Sequence, residues 1–412
     1  MPKRERCLEI IVAGAGPVGL LFASRLIRQR GVRNFRVRIV DSQSPVVWQS
    51  QRIHPRVYAL SRESQWLLGD LWLLIASRRH SPYRRMHVWE GDSPTAGTSI
   101  SFDAADIGEA DLGHIVEDNL LRSVLLEDLS RAEVEFSFGT GIEALCRVDD
   151  AISVTMSDGT TARADLVVGA DGADSKVRAA VGIEAIRKNY AQRAVVTHVT
   201  IEAPHNETAW QRFLPEGPLA FLPLSDGRSS IVWTNGEATA DRLLAAGEDD
   251  FIRELESASG RVLGRLGPCT KRLAFPLRLA HATRYVSPGV ALIGDSAHTV
   301  HPLAGQGMNL GLRDAAVLAD TLIVALAQGE YPGDEHILRR YERSQKAHNL
   351  GMQLAFDGLN ELFGQRMPDW AAPMRGFGMA MVNRLGPAKR LLMRRALGVD
   401  RAFRASTDDH AT

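Results

Sequence analysis

The N-terminal segment has the order of apolar and polar residues that is typical of a βαβ unit. Leu8 to Ala13 is a short apolar run suited to a buried parallel strand. Apolar residues then recur at helical spacing from about Pro17 to Arg30, and a second strand is predicted over Arg36 to Val40, ending at Asp41. The pattern predicts strand, helix and strand in the order that a dinucleotide-binding fold requires.

Three glycines in the spacing GxGxxG lie between the first strand and the helix. Gly14 permits a tight turn, Gly16 lets the backbone approach a pyrophosphate, and Gly19 lets helix and strand pack closely. The helix that starts at Pro17 offers free N–H groups to phosphates. Asp41 stands where an acid accepts hydrogen bonds from a ribose hydroxyl and repels a 2′-phosphate. The motif therefore predicts NAD or FAD and disfavours NADP.

Two later segments repeat the arrangement of an apolar strand followed by an acid and a turn. One strand is predicted over Leu166 to Ala170 and leads into GADGADSKVR, where Asp171 follows the strand and Ser175 caps a helix. The other is predicted over Val290 to Ile293 and leads through Asp295 into GDSAHTVHPLAGQGMNLGLRDA. If the first glycine turn binds one half of a long cofactor, this last turn can bind the remainder.

The last turn has features that suit a flat ring. Asp295 is expected to accept a hydrogen bond from a sugar-chain hydroxyl, while Gly305 and Gly307 let the backbone approach the ring. A helix that begins near Met308 directs its positive end to the same place. Reduced flavin carries negative charge that such donors stabilise, so the turn predicts FAD rather than a nicotinamide.

The middle of the chain has the alternation of an antiparallel sheet. Apolar and polar residues alternate between Ala194 and Trp233, and a helix such as Asp250 to Ser259 is expected to cover one face. This sheet would form the roof of a pocket over the flavin. Four residues are candidates for the pocket lining, with core packing as the alternative for each: Phe221, Leu222, Pro223 and Trp233.

The composition is that of a folded protein without a charge bias. The 412 residues suffice for two domains, and 49 basic residues balance 49 acidic ones, which gives no electrostatic case for binding nucleic acid. The 3 cysteines are widely separated, which argues against disulfides and a metal site. No secretory signal or apolar run of membrane-spanning length is found, so we expect a cytoplasmic protein.

The C-terminal segment is basic. Between Ala371 and Arg404 it has 8 basic residues and the single acid Asp400, with leucines at helical spacing. Such a helix can bind anionic lipid at the inner face of a membrane. A docking surface for a biosynthetic partner protein and a solvated helix face are the alternatives.

The motifs GAGPVG, GADGADSKVR and GDSAHTVHPLAGQGMNLGLRDA, in this order, resemble the signatures of the class A flavoprotein aromatic hydroxylases, the group with the para-hydroxybenzoate hydroxylase fold. RVYALS, EDNLLRSVLLEDL and FLPLSDGRSSIVW extend the resemblance. YERSQKAHNLGMQLAFDGLNELFG and VNRLGPAKRLLMRRALG are similar to one subfamily, the 2-polyprenylphenol hydroxylases of ubiquinone biosynthesis. The resemblance covers nearly the whole chain.

The fold class implied is α/β, with two domains and a C-terminal helical region. A Rossmann-like FAD-binding domain would comprise residues 1–80, 100–185 and 275–365. An antiparallel-sheet substrate domain would comprise residues 81–99 and 186–274, and a helical tail residues 366–412.

The resemblance also implies which residues bind FAD. The AMP and pyrophosphate would contact Gly14, Gly16, Pro17, Gly19 and Asp41. The remaining cofactor contacts would come from Arg56, Arg122, Asp171 and, on the ribityl chain, Asp295. The isoalloxazine ring would be lined by Pro302, Gly305, Gln306, Gly307, Met308 and Asn309. Ser296 stands where the family very often has alanine, a change that we expect FAD binding to survive.

The implied reaction is hydroxylation of the aromatic ring of a lipophilic polyprenylphenol. FAD would be reduced by NAD(P)H or a protein electron donor, react with molecular oxygen and transfer OH through a flavin hydroperoxide. No catalytic side chain is predicted, and His298 and His301 are expected to form structural hydrogen bonds. Two alternatives stay open: a flavin-dependent reductase acting on prenyl chains, and a FAD-binding assembly subunit without turnover.

Overall fold

The computed structural model describes residues 7–28, 34–91, 94, 99–300, 306–363 and 386–398. The strands, in chain order, are β1 Leu8–Ala13, β2 Phe35–Asp41, β3 Val57–Ser61, β4 Pro82–Tyr83, β5 Arg85–Glu90, β6 Ser99–Asp103, β7 Gly113–Glu117, β8 Val134–Phe138, β9 Ile142–Val148, β10 Ala151–Met156, β11 Thr161–Ala164, β12 Leu166–Gly169, β13 Ala185–Ile201, β14 Thr208–Leu214, β15 Gly217–Pro223, β16 Ser229–Gly236, β17 Leu266–Cys269, β18 Leu273–Ala282, β19 Val286–Ser287, β20 Val290–Leu292 and β21 His298–Thr299.

The helices are α1 Pro17–Ile27, α2 Arg62–Leu68, α3 Asp70–Arg78, α4 Asp118–Ser130, α5 Lys176–Ala180, α6 Glu237–Ala245, α7 Glu248–Ser259, α8 Gln306–Ala327, α9 Glu335–Phe363 and α10 Gly386–Leu397. Two short 3₁₀ turns cover Ala104–Ile107 and Gly294–Ser296.

The first core is a 6-stranded sheet in the order β19-β20-β12-β1-β2-β8. Its pairings are parallel except for β19 with β20, and β1 is central and almost entirely buried. Helices α1, α4 and α8 supply apolar residues to the same core. The predicted βαβ unit is present, with α1 ending at Ile27 and capped by Arg28. The predicted helix end at Arg30 lies outside the described residues.

The second core belongs to a 9-stranded sheet that follows the path β21-β18-β13-β16-β15-β14-β5-β6, with β17 also paired to β13. All pairings are antiparallel except for the parallel pair β14–β5. Helices α6 and α7 cover one face, and α7 begins at Glu248, before the predicted Asp250. The expected α/β fold class, with a parallel and an antiparallel sheet, is confirmed.

Two 3-stranded sheets complete the architecture, β11-β10-β9 and β3-β7-β4. After α8 the chain continues into α9 and then α10. Met393 and Leu397 of α10 belong to one buried apolar cluster with residues of β3, β4 and β7. Residues 364–385 and 399–412, which form most of the predicted tail, lie outside the described part of the chain. The domain boundaries stay a prediction.

Candidate functional site

The first glycine turn is shaped by contacts that leave no room for side chains. A Cβ built at Gly14, where φ is +108°, would lie 2.2 Å from the carbonyl oxygen of Ala170. A Cβ at Gly19 would lie 2.2 Å from the carbonyl oxygen of Gly14. By contrast, a Cβ at Gly16 would have nothing within 4 Å. The turn is therefore tightly closed on the sheet side and open at Gly16, as the approach of a pyrophosphate requires.

Asp41 ends β2 beside this turn. Its Oδ2 accepts a hydrogen bond from the N–H of Ala15 at 2.7 Å, and its Oδ1 accepts one from Gln43 at 2.8 Å. Pro17 occupies the first turn of α1, where a missing N–H costs nothing. These bonds fix the carboxylate at the rim of the turn, and its contact with a ribose stays a prediction.

The second turn, Gly294–Ser296, lies directly against the first helix. Cβ atoms built at Gly294 and Gly311 would lie 3.1 Å and 2.7 Å from methyl groups of Val18. Gly294 also has φ of +61°. Because Val18 is in the first turn of α1 and Gly311 is near the start of α8, the two predicted cofactor turns and both helix N-termini converge.

Asp295 has the environment of a side chain on the wall of a cleft. It is exposed, yet the surrounding protein desolvates its carboxyl and raises the pKa, against the opposing effects of His298 and Arg56. Arg56 is exposed as well, and its guanidinium lies 5.4 Å from the ring centre of Tyr58. Asp295 and Arg56 are 239 positions apart in the chain, yet their charged groups are close enough to interact.

Tyr58 and Asp118 belong to this group but were missed in the sequence. Tyr58 Oη donates to Asp118 Oδ1 at 2.6 Å, and Arg122 Nη1 lies 3.8 Å from Asp118 Oδ2. Nε of Arg122 is buried without a partner among the described residues. Both missed residues could have been found by spacing: Tyr58 follows Arg56 by one strand repeat, and Asp118 precedes Arg122 by one helical turn.

Arg178 connects the middle turn to the last one. Its side chain is buried, and it donates to the carbonyl oxygens of Ser296 and Ala173, at 2.8 Å each. Asp171 accepts from the N–H of Val177 at 3.0 Å, while its Oδ1 is buried and has no partner in the part of the chain that the structure describes. The DG turn is therefore held beside the Gly294–Ser296 turn by a buried cation, a role that the sequence did not indicate.

The start of α8 contains the predicted ring-lining residues Gln306, Gly307, Met308 and Asn309, whereas Pro302 and Gly305 lie outside the described residues. Asn309 is buried, and its amide donates to the carbonyl oxygen of Ala59 and accepts from Ser61 N and Ser64 Oγ, at 3.0, 3.0 and 2.7 Å. Its side chain therefore links α8 to the β3–α2 junction. Any contact of Asn309 with the isoalloxazine ring would have to come from its backbone.

The four candidate lining residues divide between the two faces of the antiparallel sheet. Phe221 and Trp233 are 1% and 4% exposed and belong to the core under α6 and α7, with Phe251 and Leu255. Both therefore pack in the core, which was the alternative for each of them. Leu222 alternates to the other face and is partly buried there. Pro223 is buried at the end of β15.

The arrangement fits FAD. An extended cofactor needs an open backbone cradle for the pyrophosphate, supplied at Gly16, and polar groups along its sugar chain. Asp295 and Arg56 supply accessible groups, and Arg122 Nε and Asp171 Oδ1 supply buried polar atoms that have no partner among the residues described. No group of His, Cys, Asp and Glu side chains that could hold a metal occurs among the described residues. No helix in that part of the chain is long and apolar enough to cross a membrane.

Comparison with known proteins agrees with this geometry. Residues 7–354 match the model of the family described as FAD binding domain. The chain is 38% identical to the ubiquinone hydroxylase UbiL of Rhodospirillum rubrum, over 96% of this chain and 90% of the relative. It is 36% identical to the 3-demethoxyubiquinol 3-hydroxylase of Escherichia coli, over 95% and 98%. The fold matches that of p-nitrophenol 4-monooxygenase from Pseudomonas putida, with a TM-score of 0.76, 20% identity and coverage of 95% and 98%.

Proposed function

The chain belongs to the FAD-binding family of flavoprotein aromatic hydroxylases, and we propose that it hydroxylates the ring of a polyprenylphenol in ubiquinone biosynthesis. The observation that carries the proposal is the convergence of the two glycine turns, with Asp295 and Arg56 open to the same cleft. The names of the two relatives support the substrate class, since each is similar over at least 90% of both chains.

The residues of this chain bind the cofactor, orient the substrate and shield the site from water. When bound, FAD supplies the redox chemistry that activates molecular oxygen. We assign the pyrophosphate to the backbone at Gly16 and the sugar chain to Asp295, with Arg56 and Arg122 along the cofactor. The reductant is NAD(P)H or a protein electron donor.

The apolar face that Leu222 shares is the proposed site of the lipophilic phenol. Val195, Leu219, Phe221, Ile231 and Trp233 all point toward α6 and α7. The alternate residues of the same strands therefore point the other way. Four of them are small or aliphatic. Ala220, Leu222 and Val232 are partly buried, and Val196 is buried. This face offers apolar surface to a prenylated ring, and beside Leu222 it carries the polar side chains of Ser230 and His198, which could meet the phenol hydroxyl.

We assign contact with an anionic membrane surface to α10. Its Met393 and Leu397 are buried against the body, while Arg390, Leu391 and Arg394 are exposed. Lys389 Nζ lies 2.9 Å from Asp106 Oδ2 and secures the helix. A helix with one apolar residue between two exposed cations can lie on anionic lipid, and this supports the proposed contact with the inner face of the membrane that holds the substrate.

The membrane assignment is tested by flotation with vesicles of phosphatidylglycerol. We expect Arg390→Gln with Arg394→Gln to release the protein, whereas Arg253→Gln with Arg261→Gln, at exposed positions elsewhere, should not. Equal flotation of both double variants would show that α10 is not the contact.

The reaction is tested by the visible spectrum of the purified protein, followed by oxygen uptake with NAD(P)H and a short-chain 2-prenylphenol. We expect a flavin spectrum, phenol-dependent oxygen uptake and a hydroxylated product. Saturation of the prenyl chain without oxygen would instead identify the reductase. Bound flavin with no phenol-dependent oxygen uptake from any donor would identify the assembly subunit.

A further inference from the structure

A buried polar network lies behind the Gly294–Ser296 turn, and its centre is His298 with Asp314. Nε2 of His298 lies 2.5 Å from Oδ2 of Asp314, and the side chains are 1% and 0% exposed. The same Oδ2 accepts the N–H of Gly294 at 3.0 Å, and Oδ1 accepts from Asn349 Nδ2 at 2.9 Å. One carboxylate thus joins α8, α9 and the turn that presents Asp295.

Two carboxylates act on His298. Burial lowers the pKa of His298, but Asp314 and Asp295 raise it, and the net pKa lies above the ordinary 6.5. The bond to Asp314 is also the arrangement in which a charged imidazole is stabilised by direct contact. Removing the charge from either partner would leave the other buried and unpaired, which is costly.

The other titratable groups around His298 stay neutral. Burial and His298 itself lower the pKa of His281, the cross-strand neighbour on β18, and burial lowers that of His348 on α9 to about 4. Burial raises the pKa of Tyr285 and of Tyr341. The single positive charge among these groups is therefore placed on His298.

The second ring nitrogen of His298, Nδ1, and Nε2 of His281 are buried without a hydrogen-bond partner among the described residues. The Tyr285 hydroxyl and the Asn349 amide, which interact with each other, belong to the same buried region. The Tyr285 ring centre lies 5.9 Å from that of His298 and 5.5 Å from that of His281. Polar atoms gathered in this way bind internal water, which can accept the Nδ1–H of a protonated ring.

We propose that His298 is a protonated positioning residue, paired with Asp314, that holds the Gly294–Ser296 turn in the geometry that binds FAD. The inference rests on the proposed contact of Asp295 with the cofactor. Since the histidine gains a partner on folding, the contribution of the pair is complete below pH 6.5 and is lost as the pH rises through the pKa of His298 in the folded protein. When His298 loses its proton, the charged pair that holds the turn is lost, and we expect the less ordered turn to bind FAD more weakly at alkaline pH.

The test measures FAD binding to the full-length apoprotein at several pH values between about pH 6 and pH 9. Quenching of flavin fluorescence reports the binding. We expect the Kd of the wild type to rise about tenfold across this range, the change that one pKa unit of coupling produces. His298→Gln keeps a donor but cannot be charged, so it should bind weakly at every pH without this slope. His336→Gln, at an exposed position of α9, is the control and should follow the wild type. A slope that persists in His298→Gln overturns the proposal.

A second measurement needs no variant. In the wild-type apoprotein labelled with ¹⁵N-histidine, we expect one imidazole with both nitrogens protonated at pH 7, in slow exchange with water. A spectrum in which every buried imidazole is neutral at that pH overturns the charged pair, even if FAD binds. Failure of FAD to bind at any pH would overturn the proposed function instead, and the ¹⁵N spectrum would still decide the state of His298.

Discussion

The two cofactor turns are built by different means. The Gly14–Gly19 turn is closed by backbone against backbone, with the carbonyl oxygens of Ala170 and Gly14 where side chains would otherwise lie. The Gly294–Ser296 turn is held by buried polar side chains from distant parts of the chain, Arg178 and Asp314. The first turn thus depends on the absence of side chains, whereas the second depends on buried polar side chains as well as on Gly294 and Gly311.

The largest effect should come from breaking the first turn. Gly14→Ala combines a backbone conformation costly for any side chain with a contact of 2.2 Å to the oxygen of Ala170. We expect the free energy of unfolding to fall by about 3 kcal/mol, together with loss of FAD binding. Urea denaturation of the apoprotein measures the first effect, and flavin absorbance after reconstitution measures the second.

Gly16→Ala and Gly172→Ala are the controls for that variant. Gly16 has open space and φ of −73°, so its alanine should leave stability unchanged and weaken only FAD binding. Gly172 has open space but φ of +84°, so its alanine should cost about 1 kcal/mol from the backbone alone. If Gly14→Ala were as stable as Gly172→Ala, the close packing of the first turn would contribute nothing to the free energy of unfolding.

The second turn should be weakened most by loss of Arg178. Arg178→Met removes the donors to Ser296 O and Ala173 O and leaves two carbonyl groups unpaired beside a buried apolar chain. We expect a loss of about 2 to 3 kcal/mol in the free energy of unfolding. Lys176→Met, at an exposed position of the same helix, should change little. Similar unfolding curves for the two variants would contradict a polar anchor for this turn.

The contrast between the turns also explains what could be predicted from the sequence. Gly14, Gly16 and Gly19 lie within one βαβ unit, so their spacing predicts the local geometry that the structure has. Arg178 and Asp314 act through contacts across 118 and 20 positions, which no local pattern encodes. The cofactor roles of the predicted residues stay predictions.

The antiparallel sheet shows the same limit. Alternation predicts its strands correctly, but it does not say which face the helices cover. Phe221 and Trp233 were proposed for the pocket, yet they lie under α6 and α7. The large aromatic residues fill the helix-covered core because that face buries more apolar surface, and the smaller Ala220 and Leu222 are left on the other side.

A smaller effect is expected at Tyr58, which lies near Arg56 and Asp295. Tyr58→Phe removes the 2.6 Å bond to Asp118, a buried carboxylate, and we expect FAD affinity to fall about tenfold, near 1.4 kcal/mol. Asp118→Asn keeps an acceptor for the hydroxyl and should lose less. A greater loss in Asp118→Asn than in Tyr58→Phe would show that the charge of Asp118 matters more for the cofactor than its bond to Tyr58.

The smallest effect should come from Ser296→Ala, although this hydroxyl is buried within the second turn. Ser296 Oγ lies 2.5 Å from Gly169 O and 2.7 Å from Ile293 O, but its single proton can be donated to only one of them. Gly169 O also accepts from Ile293 N at 2.9 Å, so it keeps a partner when the hydroxyl is removed. We expect a loss below about 1 kcal/mol in urea denaturation and FAD affinity within twofold of the wild type. A tenfold loss of affinity at unchanged stability would mean that the hydroxyl orients Asp295 toward the cofactor, and the second turn would then depend on its own side chain as well as on Arg178 and Asp314.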